Sequence, residues 1–272
     1  MQIKSLDTLT TWQISDVFIE AFADYVIKMP TDHDYYENRW RNGGINFDRS
    51  YGMFDGEQLI GFILIAIDER FGEKIAYNGG TGVVPSHRGQ RIVQQLYDHA
   101  LPIYKNDGVD KCTLEVITSN KFAIKAYQNV GMKITRTLKG YKGELQSKGL
   151  DFDLEKVKKE NINWESLPNQ HFYSWDFQPP VVKKSDVQFF DVSHQNRKVG
   201  YFIIDDKKGR IHQMENYSDS MEDWHRIFDA MRSLANPINI INIDDRLISK
   251  IQIFEEHGLE NMVNQYEMEV YI

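Results

Sequence analysis

The stretch TGVVPSHRGQRIVQQLYDHALPIYKNDGVDKCTLEVITSNKFAIKAYQNVGM, residues 81–132, carries most of the information about the fold. It opens at the end of a predicted strand, residues 75–84, and passes through a basic turn at 87–91 into apolar residues at helical spacing as far as residue 104. Alternation then predicts a strand at 111–117, and helical spacing predicts a helix at 120–129 that Gly131 ends. The segment therefore predicts the order strand, helix, strand, helix.

The basic turn is a candidate anion site. A strand ends at Val84-Pro85, and a helix is predicted to begin at Arg88, so free backbone amides and the positive end of the helix dipole would point at one place. Arg88 and Arg91 add positive side chains, which suits a phosphate or pyrophosphate group. The alternative is an ordinary basic start of a helix.

The second helix places two polar side chains toward the same cleft. Asn120 and Tyr127 are seven residues apart, which is two helical turns, so both lie near one helix face. Tyr127 could equally be an aromatic residue of the core whose hydroxyl has a hydrogen-bond partner but no role in function.

Together these segments resemble the GNAT superfamily of acyl-coenzyme A-dependent N-acetyltransferases. The family's V-x-P strand end corresponds to Val83-Val84-Pro85, its R-x-x-G-x-G/A pyrophosphate loop to residues 88–93, and its N-x-x-A-x-x-x-Y-x-x-x-G-F segment to residues 120–132. The resemblance covers residues 1 to about 141. Arg91 and Val93 lie where the family has small residues. A side chain at position 91 restricts the backbone, although the guanidinium of Arg91 could bind a phosphate directly.

The resemblance implies a mixed α/β (α+β) fold, with a mostly antiparallel sheet flanked by helices, and acetyl-CoA (coenzyme A) as co-substrate. It implies that Tyr127 protonates the departing thiolate and that the Val83 amide holds the oxyanion. The acceptor would be a primary amine of a small molecule or a peptide. The implied coenzyme A-binding residues are Val83, Val84, Arg88, Gly89, Gln90, Arg91, Ile92, Val93, Asn120 and Tyr127.

The general base is left open. Glu115 lies on the predicted strand beside the implied acetyl site, and a relayed water could take its place. Asp32, His33, Asp34 and Tyr36 fall where the family has its acceptor loop, but structural roles are the simpler interpretation, with Asp32 as a helix cap.

Glycines interrupt the strand at residues 75–84, in the run Asn-Gly-Gly-Thr-Gly at 78–82. Glycine weakens a strand, so the run predicts a bulge or a place where a ligand approaches the backbone, with a simple loop as the alternative. Gly80 and Gly82 would let pantetheine lie against the main chain.

The chain also predicts a diverged internal repeat. We expect an acetyltransferase domain at 1–145, a polar linker at 146–170 and a smaller, degenerate GNAT-like domain at 171–272. Val199 to Ile203 echo residues 60–64, and Phe254 precedes Gly258 as Tyr127 precedes Gly131. Phenylalanine has no proton to donate, and residues 215–219 contain acidic groups and no basic side chain, which disfavours a pyrophosphate there. We therefore expect this domain to be catalytically inactive.

Composition excludes several classes of protein. The 272 residues are enough for two domains, and the net charge of −8 argues against a nucleic-acid partner. The only cysteine, Cys112, cannot form an internal disulfide, and the histidine spacing predicts no metal site. No signal peptide or apolar run of membrane-spanning length is found, so we expect a cytoplasmic protein.

Two other functions are compatible with these residues. One is a non-catalytic acyl-CoA sensor or interaction protein, which the altered loop and the silent second domain suggest. The other is an acyltransferase of the same kind that uses a different acyl donor.

Overall fold

The computed structural model describes residues 1–218 and 220–272, which form two compact units. The first unit comprises residues 1–135 and 266–272, and the second comprises residues 136–265. This division differs from the predicted domains, because the boundary falls inside a strand and the C-terminal residues belong to the first unit. Lys111 forms an ion pair with Glu269, and the Ile272 amide donates to the Asp110 carbonyl. Such pairing between distant parts of the chain leaves no local sequence signal.

The first unit contains the predicted mixture of strands and helices, and the mixed, mostly antiparallel α/β fold is confirmed. In chain order its elements are β1 (Gln2–Ser5), α1 (Thr11–Ala21), α2 (His33–Gly43), β2 (Tyr51–Asp55), β3 (Gln58–Arg70), β4 (Glu73–Val83), α3 (Ile92–Asn106), β5 (Lys111–Ile117), α4 (Lys121–Asn129), the start of β6 (Lys133–Gly143) and the end of β12 (Glu260–Tyr271).

The first unit's sheet has the order β1-β2-β3-β4-β5-β12. The first four strands are antiparallel, whereas β4 and β5 are parallel and pair only from Ile75–Lys111 to Asn78–Leu114. Beyond that register the two strands separate. A register shift in the β3–β4 pairing skips Gly79, so the predicted β-bulge is confirmed at this glycine.

Helices cover both faces of this sheet. On one face, Leu96 and Tyr97 of α3 pack with Tyr127 of α4. On the other face, Phe18 of α1 and Tyr36 of α2 pack against Phe62 of β3.

Gly80 and Gly82 let α1 pack close to β4. A Cβ atom at Gly82 would lie 2.6 Å from the Phe62 ring and 2.9 Å from the Ala21 methyl group, and one at Gly80 would lie 3.0 Å from Phe18. Protein packing is therefore sufficient to require glycine at both positions, and the approach of pantetheine to Gly80 and Gly82 stays a prediction.

The second unit repeats this plan. Its elements are the remainder of β6, β7 (Asp153–Val157), α5 (Pro179–Val182), β8 (Gln188–His194), β9 (Arg197–Asp205), β10 (Arg210–Asn216), α6 (Met221–Leu234), β11 (Ile238–Asp244), α7 (Ile248–Glu256) and the start of β12. The order of its sheet is β6-β11-β10-β9-β8-β7. The sequence missed β7, a mostly exposed strand inside the predicted linker, and β8.

The parallel pair of the second unit also separates early. β10 and β11 pair only at Arg210–Asn239 and Ile211–Ile240. Protein groups then occupy the exposed edge of β10. The Tyr173 hydroxyl accepts from the Met214 amide at 3.1 Å, and Lys250 Nζ donates to the Met214 carbonyl at 3.0 Å and to Glu215 Oε1 at 2.5 Å. The side chains of Lys250 and Glu215 are both buried.

The described residues contain no helix that is both long enough and apolar enough to cross a membrane.

The buried Lys250–Glu215 pair generates a stability prediction. Replacing only the lysine, Lys250→Met, leaves a buried carboxylate without its counter-charge, and we expect a loss of about 3 kcal/mol in the free energy of unfolding. The double variant Lys250→Met/Glu215→Gln should recover most of this loss, because the remaining groups are neutral. Urea unfolding followed by tryptophan fluorescence measures both, and Trp175 and Trp224 report on the second unit.

The exposed pair Lys207–Asp186 provides the control. Lys207→Met should leave the unfolding curve unchanged, since an exposed ion pair contributes little. Equal losses in the single and double variants at 215 and 250 would contradict the interpretation that an unpaired buried charge causes the destabilisation.

Candidate active site

A cleft of about 1240 Å³ opens in the first unit where β4 leaves β5. The end of α1, the end of β4, the turn before α3, and α4 form its walls. Its lining includes Phe22, Tyr25, Thr81, Gly82, Val83, Arg88, Gly89, Arg91, Ile92, Val93, Gln94, Asn120, Phe122 and Ala123. Seven of the predicted site residues therefore lie around one cavity: Val83, Arg88, Gly89, Arg91, Ile92, Val93 and Asn120.

The backbone of β4 supplies a hydrogen-bond donor to this cleft. The Val84 amide donates to the Ile60 carbonyl of β3 at 2.9 Å. Because successive residues of an antiparallel strand turn their amides to opposite sides, the Val83 amide faces away from β3. That side is the edge from which β5 has already separated, so the Val83 N–H is available to an oxyanion.

The turn before α3 forms a second cluster of donors. A 3-10 turn at Pro85–His87 precedes Gly89, which has φ +81°, and Arg91, which has φ +57°. These left-handed conformations delay the helix to Ile92, four residues after the predicted start at Arg88. No side chain caps this helix, and its first main-chain bond runs from the Gln95 amide to the Arg91 carbonyl. The amides of Ile92, Val93 and Gln94 therefore have no partner within the helix.

Arg88 is engaged with the protein itself. Its guanidinium donates two hydrogen bonds to the Asp24 carboxylate at 2.5 and 2.8 Å, one to the Ala21 carbonyl at 2.9 Å and one to the Val83 carbonyl at 3.2 Å. Hydrogen bonding to Arg88 lowers the pKa of Asp24, so the pair is ionised at neutral pH. Arg88 thus joins the end of α1 to the end of β4, and Asp24 already balances its charge.

Arg91 is placed differently. Its side chain is exposed and lines the cleft, and among residues 1–218 and 220–272 no ion pair or side-chain hydrogen bond engages its guanidinium. The left-handed backbone that the sequence made doubtful for this residue is present, at a cost of roughly 1 kcal/mol for a residue with a side chain. Of the two arginines in the turn, Arg91 has the free charge.

Tyr127 packs in the core of the first unit. Its ring lies edge-on to Tyr97 at 6.4 Å between centroids, and the residue is 8% exposed. Burial raises the pKa of Tyr127 to about 12, and hydrogen bonding to the Thr81 side chain acts in the opposite direction. The phenol is therefore protonated at neutral pH. Tyr127 is not part of the cleft lining, whereas Thr81 is.

Asn120 caps α4, with its side-chain oxygen accepting from the Ala123 amide at 3.1 Å. Burial raises the pKa of Tyr25, and the Asn120 side chain acts in the opposite direction. Both residues line the cleft. The remaining predicted binding residues, Val84 and Gln90, are not part of the cleft lining, and Val84 is fully buried.

The candidate general bases lie outside the lining of this cleft. Glu115 accepts a hydrogen bond of 2.5 Å from the Tyr77 hydroxyl. Asp32 caps α2, as the simpler interpretation of the sequence predicted. Its neighbours have structural roles as well: His33 contacts Ser15 of α1 at 2.6 Å and stacks on Trp12, Asp34 lies in the first turn of α2, and the buried Tyr36 donates to the Pro30 carbonyl.

Sequence reasoning missed the polar cluster beneath the cleft. The sequence gives no sign of a role for Tyr97 or Tyr25, whereas Asn78, an asparagine in the middle of a buried strand, is an unusual residue. Thr81 is one residue of the glycine-rich run and has no separate signal. Within the part of the chain that the structure describes, no group of three or more His, Cys, Asp or Glu side chains is arranged to hold a metal ion.

Comparison with known proteins agrees with this geometry. The model of the acetyltransferase (GNAT) family matches residues 12–132. A search of curated proteins gave no match. A tandem GNAT protein from the clavulanic acid biosynthesis pathway aligns over 99% of this chain and 98% of its own, with 10% identity and a TM-score of 0.70.

Two further solved structures share the fold. A GCN5-related N-acetyltransferase from Sphaerobacter thermophilus aligns over 99% of this chain and 95% of its own, at 9% identity and a TM-score of 0.69. One from Anabaena variabilis aligns over 98% of this chain and 72% of its own, at 12% identity and a TM-score of 0.67. From the family match and the cleft together, residues 12–132 are identified as a GNAT-family acetyltransferase domain.

Proposed function

We propose that the first unit transfers an acetyl group from acetyl-CoA to a primary amine of a small molecule or a peptide. The single observation that supports this most strongly is the convergence of two sets of unpaired donors on one cleft: the amides at the start of α3 and the Val83 amide. Acetyl-CoA supplies the thioester. The protein binds and orients both substrates and exchanges protons with them.

Each group has one task in this proposal. The amides of Ile92, Val93 and Gln94 with the Arg91 guanidinium hold the diphosphate. The Val83 N–H stabilises the oxyanion that forms when the amine attacks the carbonyl carbon. Tyr127 gives its phenolic proton to the sulfur as the carbon–sulfur bond breaks. The amine must lose a proton, which Glu115 or a water molecule accepts.

The second unit is proposed to be non-catalytic. Buried Phe254 stands at the position of Tyr127, and the edge of β10 is closed by Tyr173 and Lys250. The described residues 215–218 contain no basic side chain; Asp219, which the same prediction included, lies outside the described residues. Binding of a diphosphate here would require displacing buried protein groups.

Binding is the first test of the proposal. A ligand that binds only the native state at about 100 times its dissociation constant stabilises that state by about 2.7 kcal/mol, so acetyl-CoA should raise the melting temperature measurably. A panel of primary amines with detection of free thiol then measures transfer. Binding without transfer to any amine would favour the sensor function, and turnover with a longer acyl thioester in preference to acetyl-CoA would favour another donor.

Removing the phenolic hydroxyl of Tyr127 tests whether this residue is the general acid. Tyr127→Phe should lower kcat roughly 100-fold, within the usual range for a general acid, while the affinity for acetyl-CoA stays unchanged. Tyr104→Phe is the matched control, because it removes another buried phenol of the first unit, one that bonds the Arg49 carbonyl. Full activity of Tyr127→Phe at every pH would show that the proton comes from elsewhere.

The variant Arg91→Gly distinguishes the effect of the Arg91 charge on coenzyme A binding from the effect of its strained backbone on stability. Arg91→Gly keeps the left-handed turn and removes the guanidinium, so the affinity for coenzyme A should fall roughly tenfold, about 1.4 kcal/mol, while the free energy of unfolding does not decrease. Isothermal titration at two salt concentrations gives the affinity, and Arg91→Lys, which retains the charge, should lose less. Unchanged affinity in Arg91→Gly at both salt concentrations would remove Arg91 from the phosphate site.

A further inference from the structure

We propose that Phe122 and Lys125 of α4 bind the adenosine end of coenzyme A, with the adenine stacked on the Phe122 ring and the ribose 3′-phosphate paired with the Lys125 ammonium group. The inference rests on the coenzyme A binding proposed above. It assigns two residues that the transfer of an acetyl group does not itself require. Both line the cleft, and neither is among the site residues that the sequence predicted.

Phe122 leaves an aromatic ring open at the wall of the cleft. It is 92% exposed, more than any other large apolar residue in the described ranges 1–218 and 220–272. On an open surface a single exposed apolar side chain needs no explanation, but this one lines a cleft. A nucleobase stacks on such a ring because both partners have flat π faces, and the ring is then removed from water.

Two of the cationic side chains in the cleft are already engaged with the protein. The lining residues that can carry positive charge are His87, Arg88, Arg91 and Lys125. The Asp24 carboxylate balances Arg88, and Nε2 of His87 lies 3.8 Å from the Asp55 carboxylate. Within the part of the chain that the structure describes, Arg91 and Lys125 have no ion pair and no side-chain hydrogen bond. They are therefore the two cations of the cleft that can meet a ligand.

Coenzyme A has two separate anionic groups, the 5′-diphosphate and the ribose 3′-phosphate. In the proposed function, the amides at the start of α3 and the Arg91 guanidinium hold the diphosphate. The 3′-phosphate is a monoester that carries roughly two negative charges at neutral pH, so it also favours a cation. Lys125 is the cation that remains, and its compact ammonium group suits a terminal phosphate.

The helix α4 presents the ring and the ammonium group together. Phe122 and Lys125 are three residues apart, so their Cβ atoms lie about 5–6 Å from each other on one helix face. Ala126 and Asn129 continue this face, and all four residues line the cleft. In coenzyme A the adenine and the 3′-phosphate are attached to the same ribose. Neighbouring groups of the ligand would thus meet neighbouring side chains of the helix.

The second unit supplies an independent comparison. The helices α4 and α7 each contain nine residues and align from end to end. Phe122 then corresponds to Ser249 and Lys125 to Gln252, and all four side chains are exposed. An exposed position on this helix therefore requires neither an aromatic ring nor a cation. Both are absent from the unit in which protein groups close the corresponding strand edge.

Dephospho-coenzyme A, which lacks only the 3′-phosphate, tests the role of Lys125. Lys125→Met should lower the affinity for coenzyme A roughly tenfold, because a charged contact to the phosphate is lost, and should leave the affinity for dephospho-coenzyme A unchanged. Isothermal titration measures both affinities. Lys121→Met is the matched control, since it changes an exposed lysine of α4 that does not line the cleft. Equal losses for the two ligands in Lys125→Met, or no loss for either, would overturn the assignment of the 3′-phosphate.

The role of Phe122 is tested with 4′-phosphopantetheine, which lacks the whole adenosine end. Phe122→Ala should weaken coenzyme A binding roughly tenfold, as for the loss of one stacked base, and should not change the binding of 4′-phosphopantetheine. Phe122→Trp should keep the affinity for coenzyme A, because it retains an aromatic surface. Phe71→Ala is the control, since it removes another exposed ring of the first unit, outside the cleft lining. Unchanged coenzyme A binding in Phe122→Ala would overturn the stacking.

The titrations distinguish failure of this inference from failure of the proposed function. Coenzyme A binding by the native protein without acetyl transfer to any amine contradicts the transferase, and the two assignments are still decided by affinity. Coenzyme A binding that neither Lys125→Met nor Phe122→Ala weakens contradicts this inference alone. A native protein that binds no coenzyme A contradicts both.

Discussion

The separation of β4 from β5 after Asn78 is the constraint on which the rest of the site depends. Two parallel strands that part within a sheet expose backbone donors and acceptors, and such groups require partners because leaving them unpaired in the interior is costly. In the first unit the exposed edge faces an open cleft. In the second unit the corresponding edge of β10 is bonded by Tyr173 and Lys250. The same backbone geometry thus borders an open cleft in one unit and a closed core in the other.

The two arginines of the turn before α3 illustrate how position within a fold divides the roles of identical side chains. Arg88 holds the ends of α1 and β4 together through Asp24 and two carbonyl groups. Arg91 adopts a strained left-handed conformation, and its side chain faces the cleft without a counter-charge among the described residues. The strain at Arg91 is the kind of local cost that is often retained at a functional site.

Much of the fold of the first unit was accessible from the sequence because its signals are local. The alternation at 111–117, the helical spacing at 120–129 and the glycine at 131 correspond to β5, α4 and the residues that end it. β7 and β8 were missed: β7 is a mostly exposed strand that lies inside a polar segment, and the stability of such a strand comes from pairing with its neighbour. The start of α3 was placed four residues early, since the spacing of apolar residues does not reveal a left-handed residue at position 91.

The sequence by itself determined the type of fold and the basic turn that precedes a helix, because both depend on residues close together along the chain. Only the tertiary structure decided that Arg88 binds Asp24, that Tyr36 is a core residue, that Asn78 donates a hydrogen bond to Thr81, and that the C-terminal residues complete the first unit. These features join side chains that are far apart in sequence, or that the bulge at Gly79 brings to the same face of β4. The partner of a polar group is set by distance and direction in space, which a linear pattern does not contain.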